Sequence, residues 1–349
     1  MMAESFRTSG IATPVDPRRM LDEVCKHFVE HSQVSRNGDA ARLESEIGTA
    51  DINIVGNSLS IRLSCPTAQM LNAVQNVIAE HLFMFAGEEP FDLSWSDPPP
   101  TSRLPDFHEI EVVGARNITP HMRRVTVACA SPVSFLDGGL HVRLLIPPTG
   151  RVPVWPRRRP DGRIEWPKGD DELAVRIYTI RNVDVGAGTM DIDFVLHEGE
   201  GMPGASWAAN AKPGDRAGLL GPGGGGVPKA SDLILAGDET ALPAISRIAA
   251  EVPAGTRLKL FIEVDNPSEE QPLPSAGHLD LTWLYRNGAA AGTTRMIEKA
   301  VRLAVSTCSS ETFVWVGCER AEAKAIRDYL KNGLHRDRQL MSIGAYWER

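Results

Sequence analysis

Leu233-Ile234-Leu235-Ala236-Gly237-Asp238-Glu239-Thr240-Ala241-Leu242-Pro243-Ala244-Ile245 decides the class of the C-terminal third of the 349-residue chain. It opens on an unbroken apolar run with the composition of a strand buried on both faces. A short glycine-containing turn follows. Pro243 then falls in the first turn of a helix over 242–251, where its missing N–H forfeits no hydrogen bond. Further apolar runs stand at 259–264, 279–284 and 313–316, with helical patterns near 293–305 and at 321–331. Strands of this kind separated by helices predict a parallel sheet covered on both faces, and such sheets bind ligands beyond the C-terminal ends of their strands.

Upstream the pattern changes. Short alternating strands are expected at 109–113, 124–128, 141–146, 175–180, 191–196 and 216–220, with turn residues between them, which suggests a closed antiparallel barrel. The segment 147–171 is rich in proline and carries Arg157-Arg158-Arg159, so it reads as a surface loop inserted into the barrel.

Ser96-Asp97-Pro98-Pro99-Pro100-Thr101-Ser102 cannot continue helix or sheet and marks a boundary. Before it, Asp16 as N-cap and Pro17 at the first helical position start a helix reaching His31, with Met20, Val24 and Phe28 at helical spacing. Leu43, Ile47, Ile52, Ile54, Leu59, Ile61 and Leu63 then alternate, with Gly56-Asn57 as a hairpin turn, and a second helix runs over 67–85. The expected organisation is multidomain: a small α+β domain at 14–97, a proline-rich linker at 98–106, an antiparallel β-barrel at 107–222 and an α/β parallel-sheet domain at 223–349.

A net charge of −8 argues against broad nucleic-acid binding, so any anion site has to be local. Five scattered cysteines, Cys25, Cys65, Cys129, Cys308 and Cys318, without CxxC spacing, indicate neither a disulfide framework nor a zinc site and point to a reducing compartment. Cys25, His27, His31 and His81 are imaginable metal ligands, but helices of a small core commonly carry such residues, and no metal is expected. The first residues lack the apolar run of about 7–15 residues that a signal peptide needs, and no run of about 18 apolar residues occurs anywhere. A soluble cytoplasmic protein without membrane insertion is the expectation.

Three motifs carry a resemblance. Arg176-Ile177-Tyr178-Thr179-Ile180-Arg181 resembles the RxYTxR signature of the siderophore-interacting protein family, in the ferredoxin-reductase superfamily. His197-Glu198-Gly199-Glu200-Gly201-Met202-Pro203-Gly204-Ala205-Ser206-Trp207 resembles its glycine turn and helix start, although the family places one residue between Ser and Trp. Leu235 to Ile245 resembles the family's AGDETALPAI run without a mismatch. Trp283-Leu284-Tyr285-Arg286, Gly317-Cys318-Glu319 and Tyr346-Trp347 continue the match, with Gly317-Cys318-Glu319 where the family usually has Ala-Gly-Glu. Residues 16–97 resemble a small domain of unassigned function found fused ahead of such proteins.

The resemblance implies a FAD-binding barrel and a nicotinamide-binding α/β domain. By that resemblance the cofactors are held by Arg176, Tyr178, Thr179, Arg181, His197, Gly201, Ala205, Ser206, Trp207, Gly237, Asp238, Glu239, Thr240, Ala241, Pro243 and Trp347. The implied activity is NAD(P)H-dependent reduction of ferric siderophores, with ferredoxin as an alternative donor. A general flavin diaphorase with a non-iron acceptor and a non-catalytic siderophore-binding protein are competing readings. Arg157, Arg158, Arg159 and Lys168, with Arg163 nearby, are candidate contacts for an anionic siderophore. Glu263 and Asp265, after the second α/β strand, favour a ribose 2′-OH and hence NADH.

Overall fold

The computed structural model describes residues 5–30, 32–98, 104, 106–196 and 202–349. The chain divides into two compact units, Met1–Pro105 with Val154–Glu172, and Asp106–Pro153 with Leu173–Arg349.

The first unit begins with β1 (Phe6–Thr13) and α1 (Pro17–Phe28), the latter capped by the Asp16 carboxylate, which accepts from the Arg18 and Arg19 amides. Strands β2 (Gln33–Asn37), β3 (Ala40–Ser45), β4 (Gly48–Val55) and β5 (Ser58–Cys65) follow as hairpins, with Gly56 at φ +60° in the expected turn. Thr67 caps α2 (Ala68–Ala86), and β6 (Asp92–Trp95) completes a six-stranded sheet in the order β2-β3-β4-β5-β1-β6. Strand β1 went unread because its buried positions are Thr8, Gly10 and Ala12, too small and polar to register as an apolar alternation. Their size is required: a Cβ on Gly10 would lie 2.6 Å from the Trp95 ring on the neighbouring strand.

The second unit opens with β7 (Phe107–Thr119), β8 (Met122–Cys129) and β9 (His141–Ile146). The chain then leaves it and contributes a hairpin, β10 (Arg157–Arg158) and β11 (Ile164–Glu165), to the first unit. The surface-loop reading of this segment is therefore corrected. The hairpin is pinned to α2 by Asn76 Nδ2 donating to Gly162 O at 3.1 Å, by the Ile164 amide donating to Glu80 at 3.0 Å, and by Arg163 stacked on the Phe83 ring at 3.3 Å. Trp95 Nε1 donates to Asp161 O at 2.9 Å.

Back in the second unit, β12 (Ala174–Asp184), β13 (Thr189–Val195), α3 (Pro203–Asn210) and β14 (Arg216–Gly223) close the expected six-stranded antiparallel barrel, ordered β12-β13-β8-β7-β14-β9. The α/β part comprises β15 (Asp232–Gly237), α4 (Leu242–Glu251), β16 (Arg257–Val264), β17 (His278–Tyr285), α5 (Met296–Val305), β18 (Phe313–Glu319), α6 (Arg320–Asp328) and β19 (Met341–Trp347). Its sheet is parallel throughout, ordered β17-β16-β15-β18-β19, with a core on each face. Strand β19 lies at the sheet edge and is half-buried, with Ser342 and Gly344 interrupting its apolar pattern, so periodicity alone did not reveal it.

Two buried charged side chains lock the barrel to the α/β part. Arg247 of α4 donates to the carbonyls of Ile180 (3.2 Å) and Phe135 (2.8 Å) and pairs with Glu251. Glu269 accepts from Thr119 Oγ1 and the His121 amide. Orphaning a buried charge costs several kcal/mol, about 3–5 for a broken pair, so these contacts fix one docking geometry.

Candidate functional site

The docking leaves a cleft of about 620 Å³ between β12, the start of α3, the β15–α4 turn and β19. It lies beyond the C-terminal ends of β15 and β18, where strand order diverges to either side of β15, the place the α/β architecture predicts. Gly237 and Gly317 are paired neighbours there. A Cβ on Gly237 would stand 2.5 Å from Gly317 O, and one on Gly317 would stand 2.9 Å from the Tyr346 ring and from the Ala241 side chain. The two glycines thus make room for the turn and for the aromatic end of β19.

On the barrel side, Arg176, Ile177, Tyr178 and Thr179 line the cleft. Arg176 is exposed and donates to the Val175 carbonyl, leaving most of its guanidinium fork available to a ligand. The Tyr178 ring packs on Phe194 at 4.3 Å between centroids, and burial pushes its hydroxyl up to about 12. It abuts the start of α3 so closely that a Cβ on Gly204 would be 1.9 Å from the Tyr178 oxygen. Thr179 Oγ1 shares a hydrogen bond with His141 Nδ1 at 3.2 Å, and His141 Nε2 shares one with the Tyr346 hydroxyl at 3.0 Å. Burial, and then the Arg247 charge, lower the His141 pKa, so this ring is neutral at pH 7.

The β15–α4 turn is organised from beneath. Asp238 accepts from the Thr240 amide (2.9 Å), the Thr240 hydroxyl (2.5 Å) and Trp347 Nε1 (2.8 Å). Its carboxyl is buried and is pushed up to about 6 by desolvation, against the pull of those hydrogen bonds. Glu239 turns away into a bidentate pair with Arg286 at 2.9 and 2.6 Å. What the turn presents to the cleft is Thr240 and Pro243.

Of the residues singled out in the sequence, the cleft therefore gathers Arg176, Tyr178, Thr179, Ala205, Thr240, Pro243 and Trp347. Gly237, Asp238, Glu239 and Ala241 lie beneath it as supports. Arg181 faces Asp193 at 4.0 Å, next to the Arg124–Asp193 pair, and does not line the cleft. Nor do Ser206, exposed on α3, or Trp207, whose ring sits 5.6 Å from Phe194 against the barrel core. His197 and Gly201 lie outside the described residues. His141 and Tyr346 were missed as site residues, because a histidine opening one strand and a tyrosine ending another carry no local sign of meeting.

Two further expectations change. Arg158 is buried, 5% exposed, and donates to Asn72 Oδ1 at 2.7 Å, so it anchors the hairpin and does not face a ligand. Glu263 is 1% exposed and is engaged by Thr294 (2.7 Å) and Arg286 (3.6 Å), which removes it as a ribose partner. Cys318 is a small buried side chain in the core on the α5–α6 face of the sheet, with burial pushing its thiol far up, so it offers no thiolate.

A flavin fits this cleft on physical grounds. It offers a buried aromatic wall, an open guanidinium and the first turn of α3, whose leading N–H groups lack intrahelical partners. Gly204 keeps the wall and that first turn in contact.

Comparison with known proteins agrees with this geometry. Residues 230–349 match the family described as siderophore-interacting protein, residues 111–226 the siderophore-interacting FAD-binding domain, and residues 8–96 a family described as an uncharacterized protein conserved in bacteria. The ferric vibriobactin reductase of Vibrio cholerae is 30% identical over 253 residues, which span 71% of this chain and 89% of that relative. A siderophore utilization protein from T. fusca superposes with a TM-score of 0.57 at 33% identity, covering 72% of this chain and 95% of its own. The siderophore-interacting protein SipS of Aeromonas hydrophila gives a TM-score of 0.57 at 26% identity, covering 70% and 92%.

Proposed function

Because the chain belongs to the siderophore-interacting protein family, we propose that it is a FAD-dependent reductase that takes electrons from NAD(P)H and reduces ferric siderophores. The single observation that carries this reading is that Arg176–Thr179 of the barrel and Thr240 and Pro243 of the α/β part line one cleft. Such an arrangement holds a hydride donor against its acceptor, and proximity then supplies much of the rate. The flavin, when bound, supplies the conversion of hydride chemistry into the single-electron chemistry that iron requires.

In this reading Arg176 and the first turn of α3 hold the pyrophosphate, and Tyr178 forms the aromatic wall. The Thr179 hydroxyl, oriented by His141, faces the polar edge of the ring system. Thr240, fixed by Asp238, and Pro243 border the nicotinamide end, and Trp347 is held by the same carboxylate. Ferrous iron is bound more weakly than ferric iron by hard oxygen donors, so reduction loosens the chelate.

NADH is the proposed donor. With Glu263 engaged elsewhere, that choice rests on Asp265, whose carboxylate at the end of β16 disfavours a 2′-phosphate. A reduced ferredoxin is the alternative donor. We assign the protein to the cytoplasm, where NAD(P)H is held and where its five cysteine thiols remain reduced. Among the described residues no helix is long and apolar enough to cross a membrane.

A visible spectrum, an anaerobic NADH titration and then addition of a ferric siderophore test the proposal together. The expected course is a bound yellow chromophore, bleaching by NADH and reoxidation by the chelate. A folded preparation that stays colourless with excess FAD rejects the reading. Rapid reduction of quinones or dyes, with no reoxidation by any ferric siderophore, replaces it with a general diaphorase.

A further inference from the structure

We propose that the hairpin of the first unit, together with the residues flanking it, forms a separate binding site for an aromatic polyanion. A cleft of about 780 Å³ opens there, lined by Trp155, Trp166, Arg157, Arg159, Arg163 and Lys168. It belongs wholly to the first unit and shares no residue with the cleft described above.

Strand alternation divides the arginine run by role. Side chains point to opposite faces at successive positions, so Arg158 turns inward to Asn72 while Arg157 and Arg159 turn outward into the cleft. The inward anchor, with the Asn76, Glu80 and Phe83 contacts on α2, holds the outward pair in place before any ligand arrives. Preorganisation of this kind removes ordering costs from binding.

The charges are unevenly committed. Asp161 holds Arg163 at 2.8 Å and approaches Arg159 at 3.5 Å. Glu80, which also borders the cleft, accepts from the Ile164 amide, and Glu165 is exposed at its rim. Arg157 and Lys168 form no ion pair among the described residues. Two cations without partners beside two indole side chains suit a ligand that carries both negative charge and flat aromatic surface. A metal chelate with catecholate arms and a nucleotide share that chemistry. The inference stands apart from the reductase reading, since binding here is a property of the cleft whatever the chain reduces.

Isothermal titration of the FAD-loaded full-length chain tests it, with two probes: the redox-inert gallium(III) tris-catecholate complex, and ADP. Arg157→Glu/Lys168→Glu is expected to weaken one probe by about tenfold or more, and Arg157→Gln/Lys168→Gln by less. Both pairs are exposed, so the fold is retained, and Trp166→Phe reports the same cleft by reducing ligand-induced quenching of tryptophan fluorescence. Loss confined to the gallium complex identifies a chelate site, and loss confined to ADP a nucleotide site. Unchanged affinity for both probes in the charge-reversed variant, or no binding of either by the wild type, overturns the proposal. Because neither probe requires electron transfer, a protein inactive as a reductase can still pass, and an active one can still fail.

Discussion

The Tyr346 hydroxyl meets His141 Nε2 at 3.0 Å, joining the last strand of the α/β sheet to the barrel strand that lies beside Tyr178 and Thr179. His141 passes the contact on to Thr179 through its other ring nitrogen. Each hydroxyl both donates and accepts, so a neutral imidazole satisfies both partners in either tautomer.

Protonating His141 should destabilise the fold, because it buries a positive charge within reach of Arg247. Its folded pKa is lowered below the unfolded value of about 6.5, so its contribution to stability is complete above that pH and declines as the pH falls below it. His141→Asn is expected to flatten the acid limb of a melting-temperature profile between pH 7 and 5. Tyr346→Phe should cost about 1 kcal/mol near neutrality through the lost hydrogen bond. A histidine variant with an unchanged acid limb would show that other groups govern it.

Glu322 gives the opposite slope. Desolvation raises its folded pKa to about 7 from 4.5, so the folded state holds the proton more tightly and stability falls as pH rises between those values. Glu322→Gln keeps an oxygen for the Glu298 amide, which donates to Glu322 Oε1 at 2.8 Å. The variant should melt higher than wild type at pH 8, by on the order of 1 kcal/mol, and close to it at pH 4.5. Equal shifts at both pH values would contradict the assignment.

Gly204→Ala should impair flavin binding, since the added methyl would collide with the Tyr178 oxygen at 1.9 Å. Adding Tyr178→Phe should restore binding in part, because the ring carbon that bears the hydroxyl would still lie 2.8 Å away. Flavin fluorescence quenching in titrations of the apoprotein measures both. Wild-type affinity in Gly204→Ala would place the flavin away from this junction.

Arg158→Ala should destabilise the first unit by about 2–4 kcal/mol, through loss of its buried hydrogen bonds and packing. Arg157→Ala, one position away and exposed, should stay within about 0.5 kcal/mol. Denaturant melts followed by tryptophan fluorescence separate the two, and similar losses from both would argue against the inward and outward division.

The sequence alone determined the class of each domain. Barrel strands announce themselves by period two, a doubly covered parallel sheet by apolar runs between helices, and the turn Gly237–Pro243 by local chemistry that needs no distant partner. It also brought forward most of the barrel and turn residues that line the cleft. What depends on contacts across the chain was settled only in three dimensions. Strand β1 is held by the fit of Gly10 to Trp95, and edge strand β19 by pairing with β18. The roles of Arg157 and Arg158 differ by one step of a pleat whose phase the hairpin's seat on α2 sets. Glu263 and Arg181 face buried partners, and Trp207 packs its ring on the barrel core. The His141–Tyr346 bond joins residues 205 positions apart, and no local pattern encodes a meeting that only the docking of two folded layers creates.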